Sequence, residues 1–298
     1  MPLPTFIIIG VQKAGTTSIY HYLGQHPQVY MSPVKEPHFL ERDWPHLATT
    51  DPEITQPRIN TWEKYQALFD GVTDETAIGE ASVNCLFHYE QSIDLIKKYV
   101  PNAQVVAVLR HPAERAYSDY LMHIRDYINT ADQQPLSEHI AQRSQTSYVI
   151  RKGYYAEGVA AFQKAFGPDR VKIFLHDDLK TSASQLMAEM YRFIGVDDTF
   201  QPEVTRKAQA AKVPKNKTVN ALLQGKNPVR SAIASTLKLV LPTDARQRLR
   251  SGLINLNSGG KDDAPFLPED RAALLNLYRE DVLKLQDLLQ RDLSTWLV

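Results

Sequence analysis

Residues 6–23 of this chain read "FIIIGVQKAGTTSIYHYL", and no other stretch restricts the fold as strongly. The unbroken apolar run fits a strand buried on both faces, and the spacing after Gly15 fits an amphipathic helix. The stretch therefore predicts a strand over Thr5–Gly10, a tight loop, and a helix over Gly15–Gln25. In such a unit the loop amides and the helix N-terminus converge on one concavity that attracts an anion. Gly10 and Gly15 carry the G-x-x-x-x-G spacing of a nucleoside-triphosphate loop, yet Thr16 stands where that loop has lysine, and the cation sits earlier, at Lys13. The pattern matches a shorter, metal-free anion, with Gln12, Ala14, Gly15, Thr16, Thr17 and Ser18 offering amides and hydroxyls around Lys13. A glycine-bounded turn joining two elements would show the same glycine spacing. Lys13 tips the balance toward a ligand, because a cation facing a helix N-terminus is unfavourable without an anion between them.

The alternation of strand and helix patterns continues down the chain, as a parallel sheet requires. Strands are predicted over Ala77–Ala81, Gln104–Arg110 and Val171–Leu175, and helices over Leu86–Tyr99, Pro112–Tyr127, Tyr154–Phe166 and Leu179–Ile194. From about Gln201 the texture turns to polar, lysine-containing loops and then to helices near Val229–Leu239 and Glu269–Leu289. The expected fold is α/β: a P-loop-type parallel β-sheet flanked by helices, with a mainly helical C-terminal extension. We expect one domain over 1–298, its sheet core in about 1–200 and its helical part in about 201–298.

Lysine plus arginine and aspartate plus glutamate both number 34, so no overall field recruits nucleic acid or an anionic membrane, and any basic site must be local. The single cysteine, Cys85, excludes an internal disulfide and a cysteine-built metal centre and fits a reducing compartment. No stretch approaches the roughly 20 apolar residues of a membrane span. These features lead us to expect a cytoplasmic protein without a transmembrane segment, bound metal or nucleic-acid partner.

"GVQKAGTTSIYHYL" resembles the 5′-phosphosulfate loop of the sulfotransferases that use 3′-phosphoadenosine 5′-phosphosulfate (PAPS). The resemblance implies PAPS as sulfuryl donor and the bisphosphate PAP as product, and gives Lys13 the task of stabilising the bridging oxygen as the sulfuryl group departs. "VAVLRHPAERAYSDYLMH" is similar to the family's 3′-phosphate motif, which implies that Arg110 and Ser118 grip that phosphate. The chemistry suits the pair, since a guanidinium binds phosphate through two N–H donors and a hydroxyl satisfies another oxygen. Arg115 and Asp119, four apart on the same helix, read as an i,i+4 pair. "RKGYYAEG" resembles the family's R-G-x-Y-like element, placing Gly153 and Tyr155 near nucleotide or acceptor, although core packing serves equally for Tyr154 and Tyr155. "NLNSGGKDDAPF" stands where relatives have a loop closing over the 3′-phosphate, nominating Gly260 and Lys261, with Lys212, Lys215 and Lys217 competing for that role.

Sulfuryl transfer needs a base for the acceptor hydroxyl. In "KEPHF", similar to the glycosaminoglycan-type branch, Glu36 is the base that the resemblance implies, and Glu80 in "AIGEA" is the alternative. Val34, Pro37 and Phe39 could bury Glu36 in part, whereas His38 and His111 read as hydrogen-bonding or surface residues. Ala81 replaces a lysine frequent in animal relatives, and their disulfide near the closing loop has no counterpart, which points away from heparan sulfate as acceptor. The expected partner is a neutral small-molecule or carbohydrate hydroxyl (a sugar, a lipid headgroup or a natural-product alcohol) walled by segments 40–70 and 125–152, with Trp44, Trp62, Tyr65, Phe69, Tyr127 and Tyr148. Two other readings fit less of the sequence: a nucleotide binder without turnover, and a small-molecule kinase, which Thr16 and the lack of a Walker-B-type acidic strand end oppose.

Overall fold

The computed structural model describes residues 2–42, 59–126, 134–204, 213–214, 258–259 and 265–298. Five parallel strands, β1 (Phe6–Gly10), β2 (Val29–Met31), β3 (Ala77–Ala81), β4 (Gln104–Leu109) and β5 (Val171–Leu175), form one sheet in the order β2-β3-β1-β4-β5. The central strand β1 pairs Phe6 with Gly79 on one side and with Gln104 on the other. All five residues of β1 and all five of β3 are buried, which is why neither alternates polar with apolar. A Cβ at Gly79 would fall 2.1 Å from the Phe6 ring, so close strand packing, and no turn, demands that glycine.

The helices are α1 (Thr16–Leu23), α2 (Trp62–Gln66), α3 (Tyr89–Tyr99), α4 (Pro112–Asp126), α5 (Leu136–Arg143), α6 (Tyr148–Arg151), α7 (Ala156–Phe166), α8 (His176–Thr181), α9 (Ala183–Ile194) and α10 (Pro268–Leu289). Four predicted strands and five predicted helices agree with these to within a few residues. The short edge strand β2 and helices α2, α5 and α6 escaped the sequence reading, since each is too short to establish a period.

One prediction is corrected: Leu179–Ile194 is not a single helix. Ser182 adopts φ −150° and ψ 68° between α8 and α9. Thr181 Oγ1 just before it bonds back to the Asp177 carbonyl, the local competition by which Ser and Thr weaken helix interiors. Asp177 and Asp178 occupy the first turn of α8, where carboxylates suit the helix dipole.

The chain divides into two compact units. The first comprises Met1–Arg115, Lys152–Ala208 and Leu275–Val298 and contains the whole sheet. Its core gathers the strands with Ile19 and Leu23 of α1, Phe162 of α7, and Met190 and Tyr191 of α9. The second comprises Ala116–Arg151 and Gln209–Leu274; in it Tyr117 stacks on Phe266 at 4.6 Å and His139 Nδ1 pairs with Ser147 Oγ at 2.9 Å. The helix expected at Val229–Leu239, the closing-loop candidates Gly260 and Lys261, the lysines 212, 215 and 217, and Trp44 and Tyr127 lie outside the described residues.

Candidate active site

The residues of the candidate centre in the first unit gather at the C-terminal ends of the strands, Glu80 within β3 and Tyr155 just ahead of α7 excepted, where an open α/β sheet presents its ligand crevice. After β1 the chain turns through Gln12–Gly15 into α1. Gly15 has φ 86°, a left-handed conformation that favours glycine, and Lys13 has φ 75° without that exemption. No side chain caps α1, so its first amides are left to the loop side. Thr16 and Ser18 are buried, Thr17 is exposed, and Lys13 and Gln12 are half-buried.

Arg110, just past β4, donates from Nη1 to the Lys13 carbonyl at 3.0 Å, and its carbonyl in turn accepts from the Tyr155 hydroxyl at 2.9 Å. Glu114 lies 3.9 Å from its other terminal nitrogen. Burial depresses the Arg110 pKa from its usual value, with Glu114 opposing, and its Nε is buried with no hydrogen-bond partner among the described residues. A guanidinium kept charged while one donor goes unanswered is complementary to an anion. Tyr155 is held from below, because Asp281 of α10 accepts from Tyr155 N at 2.7 Å and from Ala156 N at 3.1 Å. Tyr155 therefore packs in the core and braces Arg110 at once. Ser118 is half-buried on α4 within the second unit. Arg115 and Asp119 are both fully buried, and Arg115 interacts with Tyr278 rather than sitting on an exposed face.

After β5, His176 lies against the loop: a Cβ on Gly15 would come 3.2 Å from its ring. Burial, then the charges of Arg110 and Lys180, lower its pKa to about 4, so it is neutral at pH 7, and its Nδ1 is buried without a partner among the described residues. The sequence reading missed His176; its position directly after an apolar strand was the available signal.

Carboxylates dominate the other half of the crevice, after β2 and β3. Glu36 (φ 62°) anchors its backbone N–H on the Ala81 carbonyl at 3.0 Å, keeps its side chain half-buried, and pairs with Lys35. Two residues on, His38 (φ 63°) bonds through Nδ1 to Glu41 Oε2 at 2.8 Å. Burial pulls the His38 pKa down, but the Glu41 hydrogen bond and the charges of Glu41, Glu36 and Glu80 outweigh it and raise the value. Glu80 is completely buried and accepts from Ser82 Oγ at 2.9 Å. Burial pushes its pKa up to about 8, the Ser82 bond resisting and the Glu41 charge assisting. Left-handed backbone at Lys13, Glu36 and His38 is strain of the kind concentrated at functional sites. Neither the His38–Glu41 link nor Asn84, which binds the same Glu41, was foreseen, although His and Glu three apart in "HFLE" was the visible hint.

Of the predicted residues, Gln12–Ser18, Arg110 and Tyr155 thus share one strand-end region with Glu36 and Glu80 nearby. Among the described residues no group of three or more His, Cys, Asp or Glu is arranged to hold a metal ion, and no helix is long and apolar enough to cross a membrane.

Comparison with known proteins gives concordant results. The model of the sulfotransferase family matches residues 4–201. Human carbohydrate sulfotransferase 15 is 34% identical over a stretch covering 40% of this chain and 27% of that protein. The human bifunctional heparan sulfate N-deacetylase/N-sulfotransferase 3 is 28% identical, covering 65% of this chain and 22% of its own length. The chain spans about a quarter of the length of these curated relatives. A crystal structure of a sulfotransferase from Alicyclobacillus acidocaldarius superposes with a TM-score of 0.68 at 26% identity, covering 99% of both chains.

Proposed function

This chain belongs to the sulfotransferase family, and from that premise we propose that it transfers a sulfuryl group from PAPS to an acceptor hydroxyl, without a metal, in the cytoplasm. The observation that carries the donor reading is the loop after β1, where no side chain caps the first helix amides and Arg110, whose Nε has no hydrogen-bond partner among the described residues, donates to the Lys13 carbonyl. A single esterified 5′-phosphate fits that set better than a triphosphate, which would call for a lysine at Thr16. Arg110, braced by Tyr155, is assigned to the 3′-phosphate. The donor, once bound, supplies an activated sulfur whose leaving group is a phosphate oxygen.

In the proposed step the acceptor oxygen forms its bond to sulfur as the S–O bond to the phosphate breaks. Glu36 takes the hydroxyl proton, and Lys13 meets the negative charge left on the phosphate oxygen. Glu36 rather than Glu80 receives the base role on two grounds. Its side chain keeps 27% of its surface open, whereas Glu80 is sealed; and with a pKa of about 8, Glu80 already holds a proton at pH 7. Protonated Glu80 instead limits the negative charge packed beside Glu41 and Glu36. His38, fixed by Glu41, belongs to the same cluster: burial lowers its pKa, but the Glu41 hydrogen bond and the charges of Glu41, Glu36 and Glu80 outweigh it.

The test is to monitor melting with PAP and with ATP plus Mg²⁺, and PAP release from PAPS with alcohols and amines. We expect PAP to stabilise and ATP to do much less, with release driven by alcohols. Equal stabilisation by ATP would reject the donor, and release with amines alone would reject the hydroxyl acceptor.

A further inference from the structure

Helix α10 ends in a Schellman turn. Gln290 takes the left-handed position (φ 48°), its N–H donating to the Asp287 carbonyl at 3.4 Å and that of Arg291 to the Gln286 carbonyl at 3.3 Å. Beyond the turn, Leu293 is 1% exposed and its N–H donates to Gln286 Oε1 at 3.0 Å. Residues 291–296 thereby form a strap. The proposed transfer step does not use it, yet it is bonded at both ends to the helix that follows β5.

Arg291 donates to both carboxylate oxygens of Asp178, from Nη1 at 2.8 Å and from Nη2 at 2.6 Å, the fork that suits a guanidinium. Trp296 is 2% exposed, and its Nε1–H donates to Asp177 Oδ2 at 3.3 Å. Burial alone would raise the Asp177 pKa, but the Trp296 bond and Lys180 outweigh it and lower the value, so Trp296 faces a carboxylate at pH 7. The Trp296 ring also lies 6.1 Å from that of His111 and 6.4 Å from that of Tyr155, within the range of tilted and edge-on aromatic pairs.

Helix α8 passes this restraint to the loop after β1. A Cβ on Gly15 would fall 2.7 Å from Leu179 Cδ2 and 3.2 Å from the His176 ring, so no slack separates α8 from the turn that carries Lys13. On the neighbouring strand, His111 directly follows Arg110, whose carbonyl accepts from Tyr155. All these residues belong to the first unit. Resting on the PAPS reading above, we propose that Trp296 is a positioning residue for the donor site, locking α8 against the loop after β1 while backing the turn that presents Arg110. It touches no donor atom itself; it sets the spacing between the two phosphate-binding turns.

The experiment uses the full chain and follows PAP affinity by calorimetry, Tm by melting, and the three tryptophans by ¹⁹F NMR after 5-fluorotryptophan labelling, with Trp296→Phe assigning one resonance. PAP should shift the Trp296 resonance. Trp296→Phe keeps a ring and loses the N–H, and the Kd for PAP should rise about fivefold. Arg291→Lys keeps the charge and loses the fork, and should raise that Kd about twofold; its side chain is exposed enough to serve as the second probe if Trp296→Phe fails to fold. Met190→Ala, which opens a cavity in the core at α9, should lower Tm at least as far as Trp296→Phe and leave the Kd unchanged. An unchanged Kd in Trp296→Phe and Arg291→Lys, an equal loss of affinity in Met190→Ala, or a Trp296 resonance that PAP does not move each overturns the proposal while leaving the donor reading intact. A wild-type chain that does not bind PAP overturns the donor reading and the proposal with it.

Discussion

The loop after β1 and the turns after β2 and β3 occupy one end of the same sheet, yet they are built on opposite electrostatics. The first gathers donors: helix amides, Lys13, and the Arg110 guanidinium with one N–H unanswered among the described residues. The second gathers acceptors: Glu36, Glu41 and Glu80, with His38 among them. A group-transfer site needs both, one side to neutralise a leaving anion and the other to collect a proton. The difference also divides what a change can damage. On the proposed reading the donor side relies on fixed charge and should be insensitive to pH near neutrality, whereas the other side holds Glu80 and His38, whose pKa values are raised.

The largest effect should come from the acceptor side. Glu36→Gln removes the proposed base while retaining shape, and kcat should fall about 10²–10⁴-fold with the PAP-induced rise in Tm unchanged. If Glu36→Gln stays active and Glu80→Gln does not, the base is Glu80. Next comes Lys13→Ala, expected to lower kcat about 10²–10³-fold while weakening PAP binding far less, because the charge it meets develops as sulfate departs. Equal losses in turnover and PAP affinity would make Lys13 a ground-state anchor.

The third prediction is a pH dependence of stability that only the acceptor side should show at neutral and alkaline pH. Native Glu80 titrates at about 8, against 4.5 for an ordinary glutamate. The native state keeps a proton that the unfolded chain releases, so this contribution is fully present below pH 4.5 and is lost as pH rises to 8. The slope is at most about 1.4 kcal/mol per pH unit. His176, depressed to about 4 from 6.5, acts in the opposite sense: its contribution is present above pH 6.5 and lost as pH falls toward 4. The two oppose each other between pH 4.5 and 6.5; above pH 6.5 the raised pKa of His38 adds a fall of the same sign as that of Glu80, so urea titrations between pH 6.5 and 8 assign to Glu80 the part of the fall that Glu80→Gln removes. Glu80→Gln should flatten the fall there, and an unchanged slope would show that Glu80 is not the buried acid.

The smallest effect belongs to the brace between core and donor side. Tyr155→Phe removes the hydroxyl that donates to the Arg110 carbonyl and should cost about 1 kcal/mol of stability in denaturant titration. No loss would mean that water replaces the bond.

Legibility in the sequence follows the range of the interaction. β1 through α1 was readable because its signals are local: an apolar run, two glycines at fixed spacing, and a helical period. Glu36 and Arg110 were readable as members of short motifs beside strands. The joining of Glu41 to both His38 and Asn84 was not, since Asn84 comes 43 residues after Glu41 and only strand pairing brings them together. Nor was the break at Ser182, where no proline or glycine interrupts the pattern and the hydroxyl of Thr181 competes with the helix.

By itself the sequence determined the α/β class, the strand-to-helix loop and the placement of cations after β1 and β4, because periodicity and glycine spacing act over a few residues. Tertiary structure alone decided the protonation of the site. Glu36 and Glu80 are the same residue type, and only the complete burial of Glu80 beside Ser82 and Glu41 makes it a carboxylic acid near neutrality, whereas Glu36 stays half-open beside Lys35, the exposure on which its proposed base role rests.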